Sequence, residues 1–266
     1  MHIKVKQFSL RQIVLTILLI VMLLLSCLAG ILLVSTNQNR NLVNQYVSET
    51  VELYVSQLQK EMDVMRVELI NILESNEATN ELPDYFNSES SQVFPILKKI
   101  SEQLRIQAIW HDAVYGYFEY IGTANALITS TGTKFSKSVK ASTERFLMVY
   151  LSANMTRRQN SLYHEFIKIE DQMYLLTWYM KGQKIAGNLI PLQRIFEDLE
   201  NCTKGYTILP YIYDTDNEDN IFPQNVSEEE IKDFEQGTVK QANVYRYAIS
   251  GLGDLCIYVV PGNGVI

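Results

Sequence analysis

The first strong pattern along the chain is an uncharged apolar run. From Ile13 to Val34 the sequence reads IVLTILLIVMLLLSCLAGILLV. As a helix these residues extend about 33 Å, enough to cross a hydrocarbon layer of about 30 Å. Beyond it, over residues 38–75, a helical period takes over. Val51, Val55, Leu58, Met62, Met65, Leu69 and Ile72 recur at alternating steps of four and three. That is a heptad seam of about three repeats, suited to a partner helix from a second copy or to the chain's own domain. Residues 75–92 are polar and contain Pro83, which ends the helix. A shorter amphipathic stretch follows, with Val93, Leu97, Ile100 and Leu104 on one face.

The period then changes to that of strands. Ile109–Tyr120 (IWHDAVYGYFEY) is apolar on both alternating faces, as in a central strand covered on two sides. Gly122–Asn125 turns the chain and Leu127–Ser130 reads as the returning strand. Thr143–Leu151 fits a short connecting helix and Leu162–Ile169 a strand. Met173–Met180 and Lys184–Ile190 flank Lys181-Gly182-Gln183, a hairpin signal. Pro191 opens an amphipathic helix through Leu192, Ile195, Phe196 and Leu199, with Gly205 at its exit.

Tyr206–Tyr213 begins a second, βαβ-like series. Its helix starts at Ser227 as cap, with Glu230 three residues on and Val226 set to pack on Ile231. Thr238–Ser250 and Leu255–Val260 close it as a hairpin around Gly251–Asp254. The predicted class is α+β: a transmembrane helix (13–34), a long stalk helix (38–75), a PAS-like lobe (93–200) and a smaller second lobe (206–266). The sheets are expected to be mixed and mostly antiparallel, with flanking helices.

Charge orients the apolar run. The chain carries a formal −7, yet residues 1–12 hold Lys4, Lys6 and Arg11 and no acid, leaving −10 (−7 less that +3) for the rest. Basic residues on the N-terminal flank keep that end, residues 1–12, in the cytoplasm and put residues 35–266 outside. A cleaved signal peptide has a shorter apolar core, about 7–15 residues. Leu24-Leu25-Ser26-Cys27 approaches a lipoprotein signal, but Leu25 stands where a small residue is usual and apolar sequence continues past Cys27. An uncleaved anchor is the favoured reading. The acidic balance excludes a broad nucleic-acid-binding surface. Outside the apolar run, Cys202 and Cys256 either pair as a disulfide or stay as buried free thiols.

Few residues point to chemistry. His111 and His164 stand beside Asp112 and Glu165, pairs that suit acid–base work, but no nucleophile appears in a recognisable setting. Asp214–Asp219 has the start of a calcium loop, with Asp219 where glycine is needed and Asn225 where the bidentate Glu belongs. No phosphate-cradling loop is present, and neither metal, cofactor nor catalytic residue is predicted. The sequence is instead rich in tyrosine, with 16. Tyr115, Tyr117, Glu119, Tyr174, Trp178 and Tyr179 put amphipathic rings and one carboxylate on or near the central strands, where some can line a small-ligand pocket. Alternation allows only part of this set to share a face. Tyr117, Glu119, Tyr174 and Trp178 are the candidate ligand-binding residues.

The anchor, the long helix, the strand pair Ala113–Tyr120 and Leu127–Ser130, and the stretch Ile169–Phe196 (IEDQMYLLTWYMKGQKIAGNLIPLQRIF) together resemble the extracytoplasmic sensor region of bacterial Cache-domain receptors. The flavour is similar to sensors of clostridial-type histidine kinases and membrane-bound AraC-type regulators. The resemblance implies a non-enzymatic, membrane-anchored receptor that binds a small extracellular ligand or a protein partner and dimerises through its stalk helix. It also departs from the pattern: Trp110 is followed by His111, so the Arg-x-Trp-Tyr element of amino-acid sensors is not present. No kinase or DNA-binding module follows the last strand. Two other readings compete: a membrane-tethered interaction protein using the heptad helix, and an anchored hydrolase built on one of the His–carboxylate pairs.

Overall fold

The computed structural model describes residues 10–75, 79, 93–110, 116–131, 137–236 and 243–259. The chain divides into two compact units, Met1–Glu49 and Thr50–Ile266. Helix α1 (Leu10–Glu74) is one uninterrupted element through the apolar run and the heptad segment. Among the described residues it is the one helix long and apolar enough to cross a membrane. Within the first unit, Val14, Leu18, Met22, Leu25, Ile31 and Leu33 are all more than half exposed. A continuous apolar surface of that extent is stable in lipid and not in water.

The second unit holds two antiparallel sheets. After α2 (Val93–Trp110) come β1 (Gly116–Ile121), β2 (Ala126–Thr131), α3 (Lys137–Asn154), β3 (Ser161–Ile169), β4 (Gln172–Lys181), β5 (Lys184–Pro191) and α4 (Leu192–Cys202). Then follow β6 (Ile208–Asp214), β7 (Asp219–Ile221), α5 (Glu228–Glu235), β8 (Asn243–Ile249) and β9 (Gly253–Val259). The first sheet has the order β2-β1-β5-β4-β3 and the second β7-β6-β9-β8. Every strand pairing among the described residues is antiparallel. The βαβ-like character predicted for the second lobe is therefore not realised: β6 and β7 form a hairpin, and α5 joins β7 to β8 without a parallel crossover.

Two more boundaries differ from the sequence reading. Ile109 and Trp110 complete α2 instead of opening a strand, and β1 starts at Gly116. Residues 111–115, with His111, Asp112 and Tyr115, lie outside the described residues. Helix α3 is twice as long as the segment predicted for it. The other signals hold. Ser227 and Glu230 form a reciprocal capping box at α5, and Pro191 caps α4, whose Leu192, Ile195, Phe196 and Leu199 are buried. Helix α4 touches β4, β5 and β6 and so links the two sheets.

The heptad seam faces inward. Val51, Leu58, Met62, Met65, Leu69 and Ile72 are buried, Val55 partly so, within the chain's own unit. Tyr54 adds a hydrogen bond to the Ile195 carbonyl at 3.1 Å. The residues left exposed lie elsewhere on the helix: Leu53, Val64 and Val67. Trimming the two sets gives unequal costs. Leu69→Ala leaves a core cavity and lowers unfolding stability by about 2–5 kcal/mol, whereas Val67→Ala, on the exposed side, changes it by less than about 0.5 kcal/mol; urea denaturation of the two variants measures the difference.

Candidate ligand site

Strands β1, β4 and β5 are buried along nearly their full length, so each presents side chains to two covered faces. Cross-strand register sorts them. Tyr117 stands opposite Asn188, Asn188 opposite Thr177, and Thr177 opposite His164. Ser130 of β2 flanks Tyr117 on the other side. These five polar residues make one line across all five strands, on a single face of the sheet.

That face meets the C-terminal part of α1. The Tyr117 hydroxyl donates to Glu68 at 2.9 Å and the Tyr179 hydroxyl to Glu74 at 2.7 Å. Glu119, one step along from Tyr117, is wholly buried. The Thr79 hydroxyl donates to its Oε2 at 3.0 Å, and Lys184 Nζ donates to the Thr79 carbonyl at 2.7 Å. The Glu119 Oε1 has no hydrogen-bond partner among the described residues, and the buried Asn188 amide meets only the Tyr117 hydroxyl. Burial pushes the Glu119 carboxyl up to about 7, against the opposing pull of Thr79 and Lys184. Burial first, and Glu74 second, push the Tyr179 hydroxyl up to about 12 and keep it a donor.

The opposite face meets α3. Its core consists of Phe118, Tyr120, Tyr174, Leu176, Trp178, Met180 and Leu189 with Leu147 and Leu151 of α3. Phe118 can lie flat across β5 only because residue 187 is glycine: a Cβ there would stand 2.2 Å from the ring. The Tyr163 and Trp178 rings stack with centroids 4.2 Å apart. The Arg157 guanidinium covers both, at 5.3 and 5.6 Å from their centroids, while forming an ion pair with Glu165. Two polar atoms of this layer are buried without a partner, Trp178 Nε1 and Thr143 Oγ1. Thr143 lines a cavity of about 10 Å³ with Gly116, Phe118, Thr129, Lys140 and Glu144, room for no more than one water. Glu144, from α3, accepts a hydrogen bond from the Thr129 hydroxyl.

The four candidate ligand-binding residues are thus divided. Tyr117 and Glu119 lie under α1, whereas Tyr174 and Trp178 lie under α3, on opposite faces of the sheet. Thr143, which has no sequence signature, was missed; only its place on a helix that closes over Trp178 marks it.

A groove of about 870 Å³ runs along the edge of β3. There the β8–β9 turn docks on the first sheet. The Ser250 N–H donates to Gln59 Oε1 at 2.9 Å, and Arg66 donates to the Ser250 hydroxyl at 2.8 Å. Gly251, at φ +84°, lies so close to the His164 ring that a Cβ would stand 2.6 Å from it. His164 Nδ1 is 3.0 Å from Thr177 Oγ1. Burial, then the Arg66 charge, push its imidazole down to about 4. His164 and Glu165 point to opposite faces and take different partners, so they form no acid–base pair. In the acidic turn Asp214 accepts from the Asp216 and Asn217 backbone N–H groups and from the Asn217 amide. Among the described residues no group of three or more His, Cys, Asp or Glu is placed to hold a metal ion. Cys202 is exposed at the end of α4 and Cys256 is buried in β9 beside Tyr211, both as free thiols, so the disulfide considered from sequence is not formed here.

No family model matches the chain, and no curated protein matches it significantly. Solved structures do. A domain of a protein described as of the sensory box/GGDEF family, from Vibrio parahaemolyticus, aligns over 82% of this chain and 98% of its own, with 10% identity and TM-score 0.46. The extracellular domain of a protein described as a histidine kinase aligns over 81% and 92%, with 10% identity and TM-score 0.45. The ligand-binding domain of the Campylobacter jejuni chemoreceptor Tlp3, solved with L-norvaline, aligns over 82% and 90%, with 12% identity and TM-score 0.40.

Glu119 and His164 load stability onto pH with opposite signs. A carboxyl whose pKa rises on folding holds its proton more tightly in the native state, so Glu119 makes stability fall as pH climbs from 4.5 to about 7. An imidazole whose pKa falls on folding does the reverse, so His164 makes stability fall as pH drops from 6.5 to about 4. Relative to wild type, Glu119→Gln gains stability with rising pH across the first window, and His164→Gln gains it with falling pH across the second. Each difference is at most roughly 3 kcal/mol; denaturation midpoints at a series of pH values measure both.

Proposed function

We propose that this chain is the ligand-sensing region of a membrane-anchored signalling receptor, with a small ligand held between the first sheet and α3. One observation carries the reading: Trp178 Nε1 and Thr143 Oγ1 are both buried without partners in the same aromatic layer. Such groups cost about 1–3 kcal/mol each unless something satisfies them. An indole N–H beside a stacked ring and a hydroxyl beside Phe118 suit a ligand with an apolar body and acceptor oxygens.

The cavity beside Thr143 is too small for such a ligand, so binding requires α3 to move off the sheet. The central strands carry that movement to their other face, where Tyr117 and Tyr179 hold α1 through Glu68 and Glu74. A ligand that prefers one of the two arrangements shifts the equilibrium between them. The anchoring part of the proposal rests on the uncovered apolar run of α1, and the orientation, N-terminus inside and residues 35–266 outside, on Lys4, Lys6 and Arg11. We assign self-association to the exposed residues Leu53, Val64 and Val67, since the seam itself is occupied.

The test uses the full chain in detergent, screened for ligands by thermal shift. A metabolite is expected to raise the melting temperature. Thr143→Val, isosteric without the hydroxyl, is expected to lose that response while leaving the unliganded protein as stable or more so, because it removes an unsatisfied polar group. A ligand whose effect is unchanged by both Thr143→Val and Trp178→Phe binds elsewhere and refutes the assignment.

A further inference from the structure

The groove at the edge of β3 borders the α3 layer at Tyr163 and Glu165 but has a different character. Leu162, Tyr163, His164, Glu165 and Phe166 all line it. Consecutive residues of a strand alternate between faces, so five in a row can border one cavity only if the edge of the strand faces it. Among the described residues β3 is the terminal strand of its sheet, and its outer row of backbone donors and acceptors has no neighbouring strand there. Proteins usually blunt such an edge with Lys or Pro. Residues 162–166 contain neither. Across the groove stand the Asp214–Asn217 turn and the β8–β9 turn up to Asp254. The lining residues include Glu165, Asp214, Asp216 and Asp254 and no Lys or Arg.

We propose that this groove takes an extended basic peptide, which adds to β3 as a sixth antiparallel or parallel strand. Main-chain pairing with residues 162–166 supplies affinity, and alternate side chains supply selectivity. Apolar side chains of the peptide lie toward Leu162 and Phe166; basic ones reach Asp216 and Asp254, since Asp214 is engaged by its own turn and Glu165 by Arg157. The volume of about 870 Å³ suits a peptide of a few residues and lies within the range of specific binding clefts. The groove touches the proposed ligand layer at Tyr163 and Glu165, but the edge pairing uses the β3 backbone and does not rest on that reading.

The probe is a short labelled peptide of alternating Lys and Val, titrated into the full chain in detergent and followed by fluorescence anisotropy. Saturable one-to-one binding is expected, weakening as salt is raised. The same peptide with Glu for Lys is expected not to bind. Asp216→Asn with Asp254→Asn is expected to weaken binding severalfold. N-methylation of alternate peptide bonds is expected to weaken binding by on the order of tenfold in one phase of the alternation and little in the other, because only one set of N–H groups faces β3. Equal binding of the basic and acidic peptides overturns the proposal. So does indifference to N-methylation in both phases, or displacement of the peptide by equimolar spermidine, which would make the groove a site for small cations. Folding of the double variant need not be assumed, since the peptide series tests the wild-type chain.

Discussion

Strand β1 is buried on both sides along its whole length, and the rest of the second unit is arranged around that fact. A strand in this position cannot shift on one face alone. Phe118 and Tyr120 fill the layer under α3, while Tyr117 and Glu119, from the same few residues, meet the α1 side. Interiors are close-packed and transmit displacement instead of absorbing it. The glycine at position 187 tightens the arrangement further by letting the Phe118 ring lie against the neighbouring strand. Whatever moves α3 must then be felt on the other side of a single layer of backbone.

The two faces are built differently. Under α3 the contacts are mostly aromatic and aliphatic, and their cost of misfit is steep. Under α1 an apolar seam is accompanied by hydrogen bonds from tyrosines to long acidic side chains, Tyr117 to Glu68 and Tyr179 to Glu74. Burial raises the tyrosine pKa values, with the adjacent carboxylates adding to it, so both rings remain donors throughout the neutral range. Long glutamate side chains can follow a small displacement of the helix without breaking these bonds. On this face burial raises the Glu119 carboxyl to about 7 and lowers the His164 imidazole to about 4, on β1 and on the edge strand β3 respectively.

Much of this was legible in the sequence because it depends on local rules. The Lys181–Gln183 hairpin, the cap at Ser227 and the period of the α1 seam are each specified within a few residues. What the seam faces is another matter: an apolar stripe has the same spacing whether it covers its own sheet or a second chain. The division of the candidate site had the same origin. Within the hairpin, Lys181 pairs with Lys184, which fixes the relative parity of β4 and β5. The parity of β1 follows only from its pairing with β5, Tyr117 against Asn188, and that contact spans about seventy residues. Without it, nothing in the alternation says that Tyr117 and Trp178 point apart. Ile109 and Trp110 read as strand for a simpler reason: their side chains favour strands, whereas the backbone continues α2 through them.

The unsatisfied polar groups make the final link between fold and function. Asn188 and Glu119 leave atoms unpaired on one face, and Trp178 and Thr143 do so on the other. All belong to or cover the same central strands. Apolar residues of similar volume at these positions would remove the desolvation cost without disturbing the sheet. A sequence shaped for stability alone has no reason to keep such groups on both sides of its most buried strands. The interior of the sheet thus departs from the most stable packing at the positions where its covering helices meet it.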